Sequence, residues 1–532
     1  MVDDLLYASG LDDGIRNNFQ LNSQIGQLCR LPPAERLAKA QQLAAILTRN
    51  PRARELLSKY GVTISQQRKQ ITGRLMTRGN KSHLFSPHAD ARNFQLLRRP
   101  REGENADKLL KFGGELPNNA NFMPRGLVKS MGIQNWIIVY ENSTEKEAWG
   151  VQQGIQQKAT EFRLQYAEPD AFEVPIPWPR AIRDNRMWQD LEGMVRAKAE
   201  NGPVLVVALL PSGRGQQTQV YNAIKQRLTC GEVPVVTQCV NPFTVRGNKW
   251  NSALPKLVAQ INVKLGGAAW ALNTKAVFNR PTMIVGVACK KAKGATVIVC
   301  SATIDDLFLQ YYTRTAIVSA AEDQSGVIPN LTLFIRDAVF AFRDSLRTTP
   351  QQIVIYRSGV GEGQKHAIMA LENPMIEEAF PDIQAGYAPE WIYIMVQKNI
   401  NYRFACQGTG GGGRGGRGGG GGGGRGGRGG RGGRGGVSTE QEFVFFGCHQ
   451  QVTSGTLTPT KYEVLHVSPN WSMDIDDLYT GTMQLSMLYQ NWAGPIRVPA
   501  PFKYAETCAR KVTEALNNRC PSERLSRQLW FL

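Results

Sequence analysis

From about residue 133 the chain alternates short β-branched runs with stretches of helical period, and this alternation restricts the fold more than any other feature. Trp136–Tyr140, Val204–Leu210 and Val233–Cys239 are apolar runs of strand length, separated by helical patterns at 145–165, 186–200, 216–229 and 253–265. Continuous apolar runs suit strands covered on both faces, so strands alternating with helices predict a parallel α/β sheet. A second series starts at Met283–Cys289 and continues through Thr296–Ser301, Gln352–Arg357 and Trp391–Lys398. Within it, Leu331, Phe334, Ile335, Ala338, Val339 and Phe342 recur at helical spacing and predict an amphipathic helix over 329–346. Phe334, Phe342 and Trp391 are expected core residues. Strands at Glu442–Phe446 and Glu463–Val467 and a helix near 478–490 complete the series.

The region before 133 has a different texture. Pro32-Pro33 precede Ala34–Thr48, where Leu37, Ala40, Leu43, Ala44 and Leu47 mark one helical face. Asn50-Pro51 interrupts, and a second short helix is expected to about Tyr60. Residues 76–120 are rich in Arg, Asn, Gly and Pro and read as a polar connector.

One segment stands outside this scheme. Gly408–Gly436 consists of 22 glycines, six arginines and Thr409. It offers no apolar surface to offset the entropy of ordering, so a disordered insert is expected. Two roles suit it: an inert flexible loop, or a cationic segment that binds RNA through phosphates and arginine stacking and whose arginines are methylated. Regular Arg-Gly-Gly spacing favours the second.

Charge and cysteine usage exclude several classes. The chain carries 63 Lys+Arg against 44 Asp+Glu, a formal charge of +19, and without the six tract arginines the remainder is still +13. Such an excess suits a nucleic-acid partner or an acidic membrane surface. The longest apolar run, Val204–Leu210, is far short of the roughly 20 residues a spanning helix needs, so no membrane association is expected. The acidic start Met1-Val2-Asp3-Asp4 lacks signal-peptide architecture. Nine cysteines without a CxxC pair and five scattered histidines fit neither a disulfide framework nor a zinc cluster. A soluble protein of a reducing compartment is expected, cytoplasmic or nuclear.

A phosphate-binding constellation is the most informative chemical feature. Tyr221 and Lys225 lie four apart on the helix after Pro211-Ser212-Gly213-Arg214-Gly215, so they share a face. Gln238-Cys239 closes the next strand, and Lys264 lies in Gln260-Ile261-Asn262-Val263-Lys264-Leu265-Gly266-Gly267. In this order the elements resemble the MID domain of the Argonaute family, closest to its Piwi clade. The resemblance implies that Tyr221, Lys225, Gln238 and Lys264 grip the 5′ phosphate of a guide RNA and that the C-terminal carboxylate of Leu532 approaches the pocket. It also allows a Mg²⁺ at that pocket. Where many family members have a further lysine, this chain has Gln260.

The resemblance continues across the chain. Leu6–Asn22 and Leu31–Thr63 resemble the linker that follows the PAZ domain. Met283–Ala288, Ile355–Gln364, Trp391–Phe404, Ser454–Tyr462 and Pro495–Tyr504 resemble successive landmarks of the PIWI domain. The implied architecture is α/β: a helical linker region over 1–130, a Rossmann-like MID domain over 131–275, and a ribonuclease H-like PIWI domain over 276–532 carrying the insert 408–436. No PAZ domain fits before Leu6, so a PAZ-less chain is expected, whether naturally short or lacking upstream sequence. Lys398, Arg403, Arg497 and Tyr504 match family residues that contact the RNA backbone.

Slicing members of the family hold two Mg²⁺ with clustered acidic residues. The matching positions here are Ala288, Ser358 and Lys461, and Glu322–Gly326 does not align cleanly with the remaining glutamate. No catalytic residues and no metal at the cleavage site are therefore expected. The resemblance implies a protein that binds a small guide RNA and a complementary target RNA in gene silencing without cutting. Its further expected partners, through the Arg/Gly tract, are an arginine methyltransferase or methylarginine-reading proteins. Two rivals stay open: a slicer using non-standard carboxylates, and a guide-free ribonucleoprotein scaffold acting through the tract.

Overall fold

A computed structural model describes residues 18–28, 31–65, 75–78, 81–84, 96–98, 110–112, 126–292, 294–319, 326–402, 443–449, 458–492 and 494–532. The chain divides into two units, one drawn from 1–73, 399–435 and 450–459 and the other from 74–398, 436–449 and 460–532. In the first lie α1 (Phe19–Leu28), α2 (Pro33–Arg49) and α3 (Pro51–Lys59). Pro33 and Pro51 both stand at helix starts, where a missing N–H costs nothing, and the Asn50 side chain caps α3 by accepting from the Ala53 N–H at 3.1 Å.

The second unit begins with short strands. β1 (Leu75–Arg78) and β2 (Lys81–Leu84) form an antiparallel pair. β3 (Leu96–Arg98) pairs with β4 (Leu110–Phe112) and with a later strand, Ala271–Leu272. The expected polar connector over 76–120 thus contributes strands. Gly79-Asn80 between β1 and β2 is a dipeptide suited to hairpin turns, a signal that the overall polarity of the segment hides.

The first α/β layer runs β5 (Trp136–Glu141), α4 (Glu145–Phe162), β6 (Asp170–Val174), α5 (Asn185–Ala199), β7 (Leu205–Leu209), α6 (Arg214–Cys230), β8 (Val236–Val240) and α7 (Trp250–Lys264). All four strands are parallel, in the order β6-β5-β7-β8. β5 and β7 are buried at every residue, as the unbroken apolar runs require. β6 is mostly solvent-facing, and its polar sequence gives no such run.

After β9 (Ala271–Leu272), the second layer holds β10 (Thr282–Ala292), β11 (Ala295–Thr303), β12 (Tyr311–Ser319), α8 (Leu331–Leu346), β13 (Gln352–Ser358), α9 (Lys365–Ile383), β14 (Glu390–Gln397), β15 (Phe443–Gly447) and β16 (Thr460–Val467). α10 (Ile475–Leu485) and α11 (Ala500–Glu514) follow. The seven-stranded sheet has the order β12-β11-β10-β13-β14-β16-β15, with β10, β13 and β14 parallel and the remaining pairs antiparallel. One face packs α8 and α9 through Phe334, Phe342 and Trp391, all buried as expected. The other face takes α11, which approaches so closely that a Cβ at Gly286 would lie 2.3 Å from the Phe502 nitrogen. Only glycine fits that position of β10.

Candidate nucleic-acid interface

Three elements of the first layer converge at its edge strand β8. α6 carries Tyr221 and Lys225 on one face. The Lys225 ammonium donates to Thr237 Oγ1 at 2.6 Å, to the Thr237 carbonyl at 3.3 Å and to the Trp530 carbonyl at 3.4 Å. β8 brings Gln238 beside Thr237. α7 delivers Lys264 from its last turn, which ends because Gly266 takes a φ of +96° and the Gly267 N–H returns to the Asn262 carbonyl at 2.8 Å. The Lys264 ammonium donates to the Thr237 carbonyl at 3.0 Å and to Gln238 Oε1 at 2.8 Å. Lys225 and Lys264 are 2% and 1% exposed, and Gln238 is 7% exposed. The four residues singled out in the sequence therefore meet at one point. Leu532 follows close behind: Trp530, whose carbonyl accepts from Lys225, is two residues away, and the Leu532 N–H bonds to the Leu529 carbonyl. Gln260 turns aside to Asn491 Oδ1 at 2.8 Å.

A further cation reaches this cluster from the second layer. Lys511 of α11 donates to the Tyr221 hydroxyl, and its Nζ lies 4.5 Å from the centroid of that ring, with Lys225 Nζ at 5.7 Å. Lys511 lies seven residues beyond Tyr504, outside the segments that the sequence pattern singles out.

Burial sets the electrostatics. It pushes Lys225 down to about 8, with like charge on Lys511 adding to the effect and Cys239 opposing it. Lys264 is driven well below the ordinary lysine range by burial first and by Lys225 second. Lys511 is lowered by burial and by Arg510. The same burial pushes the Cys239 thiol and the Tyr221 hydroxyl up, which favours their neutral forms. None of the three lysines forms an ion pair among the described residues. Converging ammonium groups with only neutral partners form a cradle for a multiply charged oxyanion.

The ribonuclease H-like centre has a different character. Ala288 is buried in β10, and the Ser358 hydroxyl at the end of β13 accepts from the Cys289 N–H at 3.3 Å, so these two positions are neighbours. On β16, Tyr462 faces Tyr356 and Phe445, which turns Lys461 to the opposite face. There the Lys461 ammonium pairs with Glu463 at 2.7 Å, and Glu463 also takes Lys365. Glu322 and Asp323 lie outside the described residues, as does the side chain of Glu362. Two Mg²⁺ do not fit this set: a methyl, an uncharged hydroxyl and an ion-paired ammonium stand where carboxylates or an imidazole would hold the ions. Among the described residues no group of three or more His, Cys, Asp or Glu is placed to hold a metal.

The expected backbone-contacting residues divide. Lys398 pairs with Glu506, and Arg497 Nη2 donates to the Lys398 carbonyl at 2.7 Å, so these two adjoin. Tyr504 is a correction. It is fully buried, its hydroxyl accepts from the Gln490 N–H at 2.9 Å, and its ring packs 4.5 Å from that of Tyr311. A side chain so enclosed is a core tyrosine with no surface to offer RNA. Arg403 and the Arg/Gly tract 408–436 lie outside the described residues.

A four-stranded parallel sheet beside a seven-stranded mixed sheet, with lysines gathered at the end of the first, is the MID–PIWI architecture of Argonaute proteins. The Piwi domain family model matches residues 205–517, more than half of the chain, and the chain belongs to that family. Among curated proteins it is 24% identical to Protein argonaute-3 of Drosophila melanogaster and 25% identical to the Piwi-like protein Ago3 of Bombyx mori. Both alignments cover 100% of this chain but 55% and 52% of those proteins, so the chain spans about half the length of these relatives. The crystal structure of Drosophila Piwi matches with a TM-score of 0.69 at 19% identity, covering 97% of this chain and 64% of that one. Kluyveromyces polysporus Argonaute, crystallised with a guide RNA, matches with a TM-score of 0.61 at 15% identity over 83% of this chain and 53% of that one. At these identities the likeness is one of fold.

Proposed function

We propose that this protein acts in small-RNA-guided silencing by holding the 5′ phosphate of a guide RNA at Lys225, Lys264, Gln238 and Tyr221, and that it recognises complementary RNA without cutting it. The observation that carries the reading is the pair of buried ammonium groups sharing the Thr237 carbonyl with no ion-paired carboxylate among the described residues. A terminal phosphate monoester carries a charge of about −1.5 to −2 near neutral pH and three acceptor oxygens, matching two ammoniums and a side-chain amide. Tyr221 offers a ring on which the first base stacks. Leu532 closes the pocket from the C-terminal side. A Mg²⁺ is not needed in this account, because the lysines already supply positive charge and would repel a dication. The RNA continues along Lys398 and Arg497. The Arg/Gly tract adds phosphate contacts and offers arginines to a methyltransferase and to methylarginine-reading proteins.

The reading without cutting is supported by Ala288, Ser358 and Lys461, which offer no carboxylate to hold a metal that would activate a water or stabilise the leaving oxyanion. The test has two arms. Binding of one RNA sequence with a 5′ phosphate or a 5′ hydroxyl is measured by fluorescence anisotropy, for the wild type and for Lys264→Ala. The wild type should prefer the phosphorylated end, and the substitution should weaken that binding roughly ten- to a hundredfold. Equal affinity for both ends refutes the pocket. In the second arm the guide-loaded protein meets a labelled complementary RNA with millimolar Mg²⁺ or Mn²⁺. A guide-dependent cut at one phosphodiester, abolished by EDTA, refutes the non-cutting assignment.

A further inference from the structure

We propose that Trp492, on the turn between α10 and α11, is a stacking residue for one of the RNA bases that follow the first, placed where the strand leaves the phosphate pocket. Resting on the pocket reading above, this adds a contact to a base rather than to a phosphate. An exposed aromatic ring is by itself ordinary on a protein surface. Three features set this one apart. The first is location. Its neighbour Asn491 accepts from Gln260 at 2.8 Å, and Gln260 stands one turn before Lys264 on α7, about 6 Å along the helix axis. Five residues beyond Trp492 the chain reaches Arg497, which donates to the Lys398 carbonyl on the proposed backbone track. Trp492 therefore lies on the segment that links the pocket to the track.

The second feature is rigidity. The buried Gln490 side chain accepts from the Ala269 N–H at 2.8 Å and donates to the Trp270 carbonyl at 3.1 Å, while its backbone N–H donates to the Tyr504 hydroxyl at 2.9 Å. The Trp492 N–H closes the turn on the Tyr489 carbonyl at 3.1 Å, and the Tyr489 ring packs 5.0 Å from that of Tyr504. With the turn fixed from two sides, little conformational freedom is lost when the indole takes a base. The third is exposure. Tyr489 and Gln490 are buried, whereas Trp492 is 45% exposed, so a base laid on the ring removes apolar surface from water. Every base has a π-face, so stacking here tolerates any sequence, as a protein that accepts many guides requires. Anchoring the 5′ phosphate holds the following bases near the indole at high effective concentration.

The experiment uses the wild type, Trp492→Leu and Trp492→Phe, with a melting curve for each. Affinities are measured for uridine 5′-monophosphate, which fills only the pocket, and for a 5′-phosphorylated octauridylate, which runs past it. Fluorescence is also recorded from octamers carrying 2-aminopurine at the second, third or fourth nucleotide. The Leu variant should bind the octamer roughly tenfold more weakly and the mononucleotide within about twofold of the wild type, and Phe should restore most of the loss. The wild type should quench 2-aminopurine at one of the three positions, and Leu should abolish that quenching. A Leu variant that melts normally and keeps its octamer affinity overturns the role of Trp492 and assigns the ring to another partner, such as a protein. An equal loss for both probes overturns it too, since the ring would then act through the pocket. Should Leu fail to fold, the wild type decides: quenching at one position supports stacking, and quenching at none overturns it. A wild type that binds a 5′-hydroxyl octamer as tightly as the phosphorylated one overturns the pocket itself, whatever the quenching shows.

Discussion

Lys225 should be a site where removing a buried charge makes the RNA-free protein more stable. Its ammonium is 2% exposed and is pushed from the ordinary 10.5 down to about 8 by burial. At about 1.4 kcal/mol for each tenfold change in proton affinity, holding that charge costs the folded state about 3 kcal/mol at neutral pH. Lys225→Met keeps the stem and removes the charge. It also strips a donor from Thr237 Oγ1 and the Trp530 carbonyl, while the Thr237 carbonyl keeps Lys264. Losing those bonds costs about 1–2 kcal/mol, so a net gain of roughly 1–2 kcal/mol remains. The pH dependence gives a cleaner signature. Between pH 8 and 10.5 the unfolded chain keeps the Lys225 proton while the folded chain sheds it, so wild-type stability rises with pH across that window; below pH 8 the full penalty is present and flat. Thermal melts of both proteins from pH 7 to 10 test this. The wild type should gain melting temperature above pH 8, and Lys225→Met should start higher and gain less. A variant that melts several degrees lower at pH 7, with the wild-type pH slope retained, would refute the idea that the lysine is held at a cost awaiting an anion.

Three other outcomes are expected. Binding of 5′-phosphorylated RNA should change by less than about twofold on adding EDTA, measured by anisotropy in metal-free buffer, because the lysines supply the neutralising charge. Glu372→Gln should destabilise the protein by about 3–5 kcal/mol in denaturant melts: this fully buried carboxylate takes Arg357 Nε at 2.9 Å and Nη2 at 2.7 Å, and also accepts from Tyr393 and from the Ile328 N–H. Deleting Gly408–Gly436 should flatten the salt dependence of RNA binding, by a slope of up to about 0.7 for each of the six arginines lost.

The residues legible in the sequence were those whose spacing and position act locally. Tyr221 and Lys225 sit one turn apart, Gln238 lies mid-strand in β8 rather than closing it as the sequence pattern suggests, and Lys264 precedes a glycine pair that stops its helix. The parallel layer and the core role of Phe334, Phe342 and Trp391 were legible for the same reason. What escaped notice depended on contacts made across the fold. β12 alternates tyrosine, threonine and arginine, and is a strand because β11 pairs with it along its whole length. α9 contains Pro374 and Pro381, which argue against a helix locally, yet Ile368, Ile376 and Phe380 bury one side of it. Tyr504 carried a family landmark, and only the packing of Tyr311 and Gln490 around it marks it as core. Lys511 lies nearly three hundred residues from Tyr221 in sequence, a separation no local pattern bridges.

The most direct test of the account is the chemistry of the 5′ ends of RNA retained by the purified protein. That RNA is extracted and end-labelled with polynucleotide kinase, with and without prior phosphatase treatment. The account predicts small RNAs of narrow length that accept label only after the phosphatase has removed a 5′ phosphate. RNA that labels equally well untreated, or a preparation that carries no small RNA, would contradict the claim that Lys225 and Lys264 hold a guide by its phosphorylated end.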